Sequence, residues 1–144
     1  MFKRHTFWLW TAVVFQLITA AVHAMSLFIA PVAQNETERQ LIELMSTYRQ
    51  DLGGGFQPST KDIMIALSSC FTLVCALGGF INAFLLKKKA SVEILTGVVG
   101  INVLIFGVCF AVMLTFTFLP PIVLTGLVFL FLTVSYFMIP KGTA

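Results

Sequence analysis

Four blocks of apolar residues, each long enough to cross a lipid bilayer, constrain this chain more than any other feature. They run from about Thr6 to Ala30, from Ile63 to Leu86, from Ile94 to Phe116 and from Pro121 to Ile139. At about 1.5 Å of rise per residue, a helix over any of these blocks covers a hydrocarbon core of about 30 Å. Charge is scarce enough to agree: 10% of residues are charged and 58% hydrophobic, where soluble domains carry about a quarter charged residues. The expected fold class is all-α, an integral membrane four-helix bundle forming one domain over residues 1–144. Outside the membrane lies little beyond a single loop, residues 31–60, which leaves no chain for a soluble catalytic domain.

The placement of the charges sets an expected topology. Lys3 and Arg4 precede the first span, Lys87, Lys88 and Lys89 separate the second from the third, and Lys141 follows the fourth. By the positive-inside rule both termini are cytoplasmic and the acidic-leaning loop is outside. The lysines are thus a topology signal in a cell-membrane protein, and nucleic-acid binding is not expected. Cys70, Cys75 and Cys109 all fall within spans with no C-x-x-C pair, so a thiol-redox or Fe–S role has no support and small buried hydrophobes are expected.

The first block admits two readings. A basic start and a small-residue pattern ending at Ala24 resemble a cleavable signal. The apolar run, however, continues through Met25, Leu27, Phe28 and Ile29, and removing it would leave three spans with termini on opposite sides. A retained helix is expected, and it carries His23 into the membrane.

In the loop, Asn35 with Glu38, and Ser59 with Asp62, have the spacing of capping boxes. Leu41, Leu44, Met45, Tyr48 and Leu52 recur at helical spacing, which predicts an extracytoplasmic amphipathic helix over about Glu36 to Leu52 stopped by Gly53, Gly54 and Gly55. Such a helix serves as a fixed cap or interfacial anchor more readily than as a lid. Asn35-Glu36-Thr37 also has the form of a glycosylation sequon.

Polar and small residues repeat at steps of four and three in the first two spans: Ala12, Gln16, Thr19, His23, Ser26 and Ala30 in one, Ser68, Thr72, Cys75, Gly79 and Asn82 in the other. A stripe of this kind faces a neighbouring helix, because polar groups in lipid seek partners. The two seams are expected to face each other, with Gln16 level with Cys75. Asn82 then lies toward the cytoplasm, where only Thr11, Trp10 and Trp8 are polar enough to meet it. The most polar locus falls at His23, Ser26 and Ser68, with Ser69 and Thr72 beside it. In the third span Gly97, Gly100, Gly107 and Ala111 form a close-packing stripe, while Asn102 points elsewhere. A membrane-embedded histidine is a functional candidate, yet His23 has no companions for zinc, haem or a proton relay. No metal or cofactor is expected, and the plainer role is a neutral imidazole hydrogen-bonded between helices.

The stretches "AAVHAMS", "DLGGGFQPSTKD" and "IALSSCF" resemble a group of small, four-helix bacterial inner-membrane proteins with no assigned activity. The resemblance implies a bacterial inner-membrane setting, in which the sequon is unused, and it carries over no catalytic residue. The function expected is non-enzymatic: a module that binds a partner membrane protein or a lipophilic small molecule. The partner form predicts the Gly97–Gly100–Gly107 stripe unpaired within the monomer. The ligand form predicts an outward-opening cavity lined by the first two spans. The alternative is an intramembrane enzyme or proton-coupled carrier using His23, which requires serines within hydrogen-bond distance of that ring.

Overall fold

The computed structural model describes residues 4–140; Lys3 and Lys141, used above for topology, lie outside that range. Five helices follow one another: α1 Arg4–Ser26, α2 Glu36–Thr47, α3 Thr60–Lys87, α4 Val92–Phe116 and α5 Leu119–Met138. All but α2 are long and apolar enough to cross a membrane. Their exteriors agree, since Phe7, Leu77, Phe80, Leu104, Val108 and Leu130 are all exposed. An apolar outside of this extent suits hydrocarbon rather than water. The chain is an all-α, multi-pass membrane protein.

The helix ends follow local chemistry. Asn35 caps α2 by accepting from the Glu38 N–H at 2.9 Å, and the Glu38 carboxylate accepts from the Gln34 N–H at 2.7 Å. The reciprocal bond thus falls one residue earlier than a capping box would place it. Ser59 and Asp62 make the full box at the start of α3: the Ser59 N–H donates to Asp62 at 2.9 Å and the Asp62 N–H to the Ser59 hydroxyl at 3.2 Å. Ser91 caps α4, and prolines at the first helical positions begin α5, where a missing N–H costs little.

α2 ends at Thr47, five residues short of the Leu52 expected from periodicity. The chain turns extended at Tyr48 and pairs with the strand-like segment before α3: Arg49 bridges Ser59, and the Gln50 N–H donates to the Pro58 carbonyl at 3.0 Å. Gly53, Gly54 and Gly55 close this hairpin, all with positive φ, a conformation costly for any residue with a Cβ. Continued pairing across the turn outcompetes one more turn of helix, which the apolar spacing alone could not reveal. On α2, hydrogen bonds first from Arg39 and then from Gln40 hold the Glu36 carboxyl below the usual carboxylate range. That pairing is complete at neutral pH and fades as pH falls through the lowered value.

The described chain divides into two compact units, residues 4–20 with 74–140 and residues 21–73. In the first, Leu9, Ala12, Val13, Cys75, Val99, Phe106, Val128 and Leu132 are buried. Glycines set the helix spacing there. A Cβ on Gly100 would sit 3.2 Å from the Tyr136 ring, one on Gly107 3.0 Å from Phe129, and one on Gly126 2.9 Å from Phe110. α4 and α5 therefore pack ring into groove. Phe131 of α5 contacts Trp8 and Phe15 of α1, and the Ser135 hydroxyl donates to the His5 carbonyl.

Candidate functional site

The two units hold the two places where polar side chains gather. In the first unit three amides meet. Asn82 Nδ2 donates to Gln16 Oε1 at 3.1 Å, Gln16 Nε2 donates to Asn102 Oδ1 at 3.4 Å, and Asn102 Nδ2 donates to the Val98 carbonyl of its own helix at 2.9 Å. Gln16 and Asn82 are fully buried and Asn102 nearly so. Asn82 Oδ1 accepts no hydrogen bond among the described residues. The relay is made possible by Gly78, where a Cβ would stand 2.7 Å from Gln16 Nε2 and 3.0 Å from Asn102 Oδ1.

This arrangement corrects three sequence expectations. Gln16 meets Asn82 and not the level of Cys75. The flush alignment behind that expectation does not hold for helices of 23 and 28 residues, and an amide satisfies another amide better than a thiol can. Asn82 consequently pairs with Gln16 rather than with Thr11, Trp10 or Trp8. Asn102, set aside in the sequence, joins the relay. The available signal was its being the only amide of its span, since a primary amide in hydrocarbon must find a partner. Gly79 packs against Leu17, with a Cβ at that position falling 2.9 Å from the leucine side chain.

In the second unit the expected His23–Ser26–Ser68 locus separates. The His23 ring lies edge-on against Phe71 with centroids 5.0 Å apart. The Ser26 hydroxyl donates to the His23 carbonyl at 2.6 Å rather than to the ring. Ser69 and Thr72 bond the carbonyls of Ile65 and Ser68, and in the first unit Thr19 bonds that of Phe15. A hydroxyl in a helix reaches the carbonyl four residues back more cheaply than a partner across a seam. Among the described residues no serine hydrogen-bonds the imidazole, so nothing here supports a serine nucleophile activated by His23.

What the second unit does contain is an open cavity of about 400 Å³ that His23 does not line. One wall is a single face of α3, Lys61, Met64, Ile65 and Ser68, spaced i, i+3, i+4 and i+7. α2 supplies Ile42, Met45 and Ser46, and the end of α1 with the following turn supplies Ser26, Leu27 and Pro31. The wall is mainly apolar. Ser26 and Ser46 donate within their own helices, which leaves the Ser68 hydroxyl and the Lys61 ammonium as donors. The size is that of a small-molecule site, about 300–1,000 Å³. Of the apolar stripe read on α2 in the sequence only Met45 lines this hollow; Leu41 and Leu44 are exposed, and Ile42 and Ser46 complete the α2 wall. Among the described residues no group of acidic, histidine or cysteine side chains is arranged to hold a metal ion.

Fold and cavity together define a multi-pass α-helical membrane protein with a lipophilic recess beneath a short surface helix. No family model, no curated protein and no solved structure matches the chain.

Proposed function

We propose that the protein is a non-enzymatic membrane module that holds one lipophilic small molecule in the cavity between α2, the end of α1 and the start of α3. The observation that supports this reading is the cavity: a largely apolar hollow of about 400 Å³ in a chain whose surroundings are rich in lipophiles. In this reading the four long helices form a bundle in a bacterial inner membrane, the setting that the sequence resemblance implies. Both termini are cytoplasmic and α2 lies outside, as the lysines at 87–89 favour, so the cavity opens toward the outer leaflet. The partner-binding form draws less support, because Gly100 and Gly107 are covered by rings of α5 and only Gly97 faces open space. The enzyme alternative draws less as well, since His23 does not line the cavity and its ring makes no hydrogen bond to a serine among the described residues.

Native mass spectrometry of the protein gently extracted from its own membrane tests the proposal. The expected spectrum shows one small-molecule adduct per chain. A chain that emerges bare, or bound only to a second protein, counts against it.

A further inference from the structure

Resting on the ligand reading above, we infer that the occupant is an amphiphile with one acyl chain and a carboxylate head, seated with its head at Lys61 and its chain along Met64 and Ile65. The argument begins with the charges of the second unit. Its cations are Arg39, Arg49 and Lys61. Arg39 is paired with Glu36 and Glu43, and Arg49 with Asp62 at 2.8 Å. Lys61 has no carboxylate partner among the described residues. The acidic side chains are engaged in turn: Glu38 accepts from the Gln34 N–H, Asp51 from the Gly53 N–H, and Asp62 also from Ser59. Five carboxylates against three cations make this unit negative, which opposes a general attraction for anions. No carboxylate lines the cavity, however, and Lys61 does. Exposed charges farther off are screened by water and salt, so the nearest charge, the Lys61 ammonium, sets the local preference for an anion at that one spot.

The geometry then orders the ligand. Lys61 lies in the first turn of α3, whose 28 residues exceed the roughly 20 needed to span the hydrocarbon core. Ser68 lies two turns further along the same face, with Met64 and Ile65 between them. A polar head at Lys61 followed by about 10 Å of apolar wall toward Ser68 holds the first half of one long chain lengthwise, the rest leaving through the open side of the cavity. A single ammonium matches a single carboxylate, and one chain suits the cavity better than two.

Labelled palmitate and hexadecanol, which share a chain length and differ in head charge, separate this inference from its parent. Each is equilibrated with the full chain in neutral detergent at about pH 9, above the range of a carboxyl and below that of lysine. Bound label is read after rapid gel filtration. Palmitate is expected to bind about fivefold better than hexadecanol, the size of a partly exposed ion pair. Lys61→Gln is expected to bring the ratio to about one, and Lys61→Arg to restore it. Equal binding by the native chain, or a ratio unchanged in Lys61→Gln, overturns the head assignment while leaving a lipophile site in place. Displacement of palmitate by an equal concentration of dipalmitoyl phosphatidylglycerol overturns the single-chain assignment. If neither palmitate nor hexadecanol binds, the parent reading fails with it.

Discussion

Gly78→Val is expected to destabilise the helical core by about 3 kcal/mol, the largest effect of any single substitution predicted for this protein. Two costs combine. The new Cβ would stand 2.7 Å from Gln16 Nε2 and 3.1 Å from the Phe106 ring, so something must move. The amide end of Gln16 is flexible in principle, but it is buried and held on both sides by Asn82 and Asn102. Moving it strands Asn82 Nδ2 and Asn102 Oδ1 without partners. Interhelical hydrogen bonds in membranes average only about 0.6 kcal/mol when cut singly, so the loss of space is the larger share. Denaturation by sodium dodecyl sulfate, followed by circular dichroism, measures the sum. Gly97→Ala serves as the contrast, because nothing lies within 4 Å of its added Cβ and stability should hold or rise slightly. Gly78→Ala combined with Gln16→Ala should cost less than the sum of its two parts, since deleting the glutamine side chain removes the clash.

Ser68→Trp is expected to reduce retention of the co-purifying lipophile at least about tenfold, equivalent to about 1.4 kcal/mol of binding, with little change in unfolding. The position lies in the cavity wall and outside the amide core. An indole there fills space that the ligand would occupy, and its own burial offsets the loss of a serine hydroxyl that bonds nothing among the described residues. Leu67→Trp controls for bulk on the same helix: Leu67 is exposed and does not line the cavity, so retention should not change. Quantifying extracted lipid per mole of protein for the three chains decides the matter. Equal retention by Ser68→Trp and the native chain would place the lipophile elsewhere.

Much of the fold was legible because hydrocarbon enforces simple rules. Runs of apolar residues longer than about 18 have one stable form in a bilayer, and the caps at Asn35 and Ser59 mark helix starts by side-chain chemistry that acts within four residues. The helix faces were legible in part. Gln16, Gly79 and Asn82 do turn inward, as polar and small residues in lipid must. Pairing was harder, because it depends on axial register, which no local pattern reports. Asn82 reaches Gln16, and Asn102 completes the chain from a helix whose glycines drew attention to another face. The hydroxyl residues misled for a different reason: Thr19, Ser69 and Thr72 can satisfy themselves within their own helices. The cavity was legible only in part, as the expected hollow lined by the first two spans; that α2 adds Ile42, Met45 and Ser46 to its wall is a tertiary event that the periodicity of Leu41 to Leu52 does not encode.

Photo-crosslinking with a diazirine-bearing hexadecanol, in native membranes with and without excess unlabelled hexadecanol, tests the proposed cavity most directly. Mapping the adducts by peptide mass spectrometry should show competable labelling at Met45, Met64 and Ile65, and only non-competable labelling at outward-facing Leu104 and Val108. Competable adducts spread over α4 and α5, or none at the α2–α3 wall, would contradict the account.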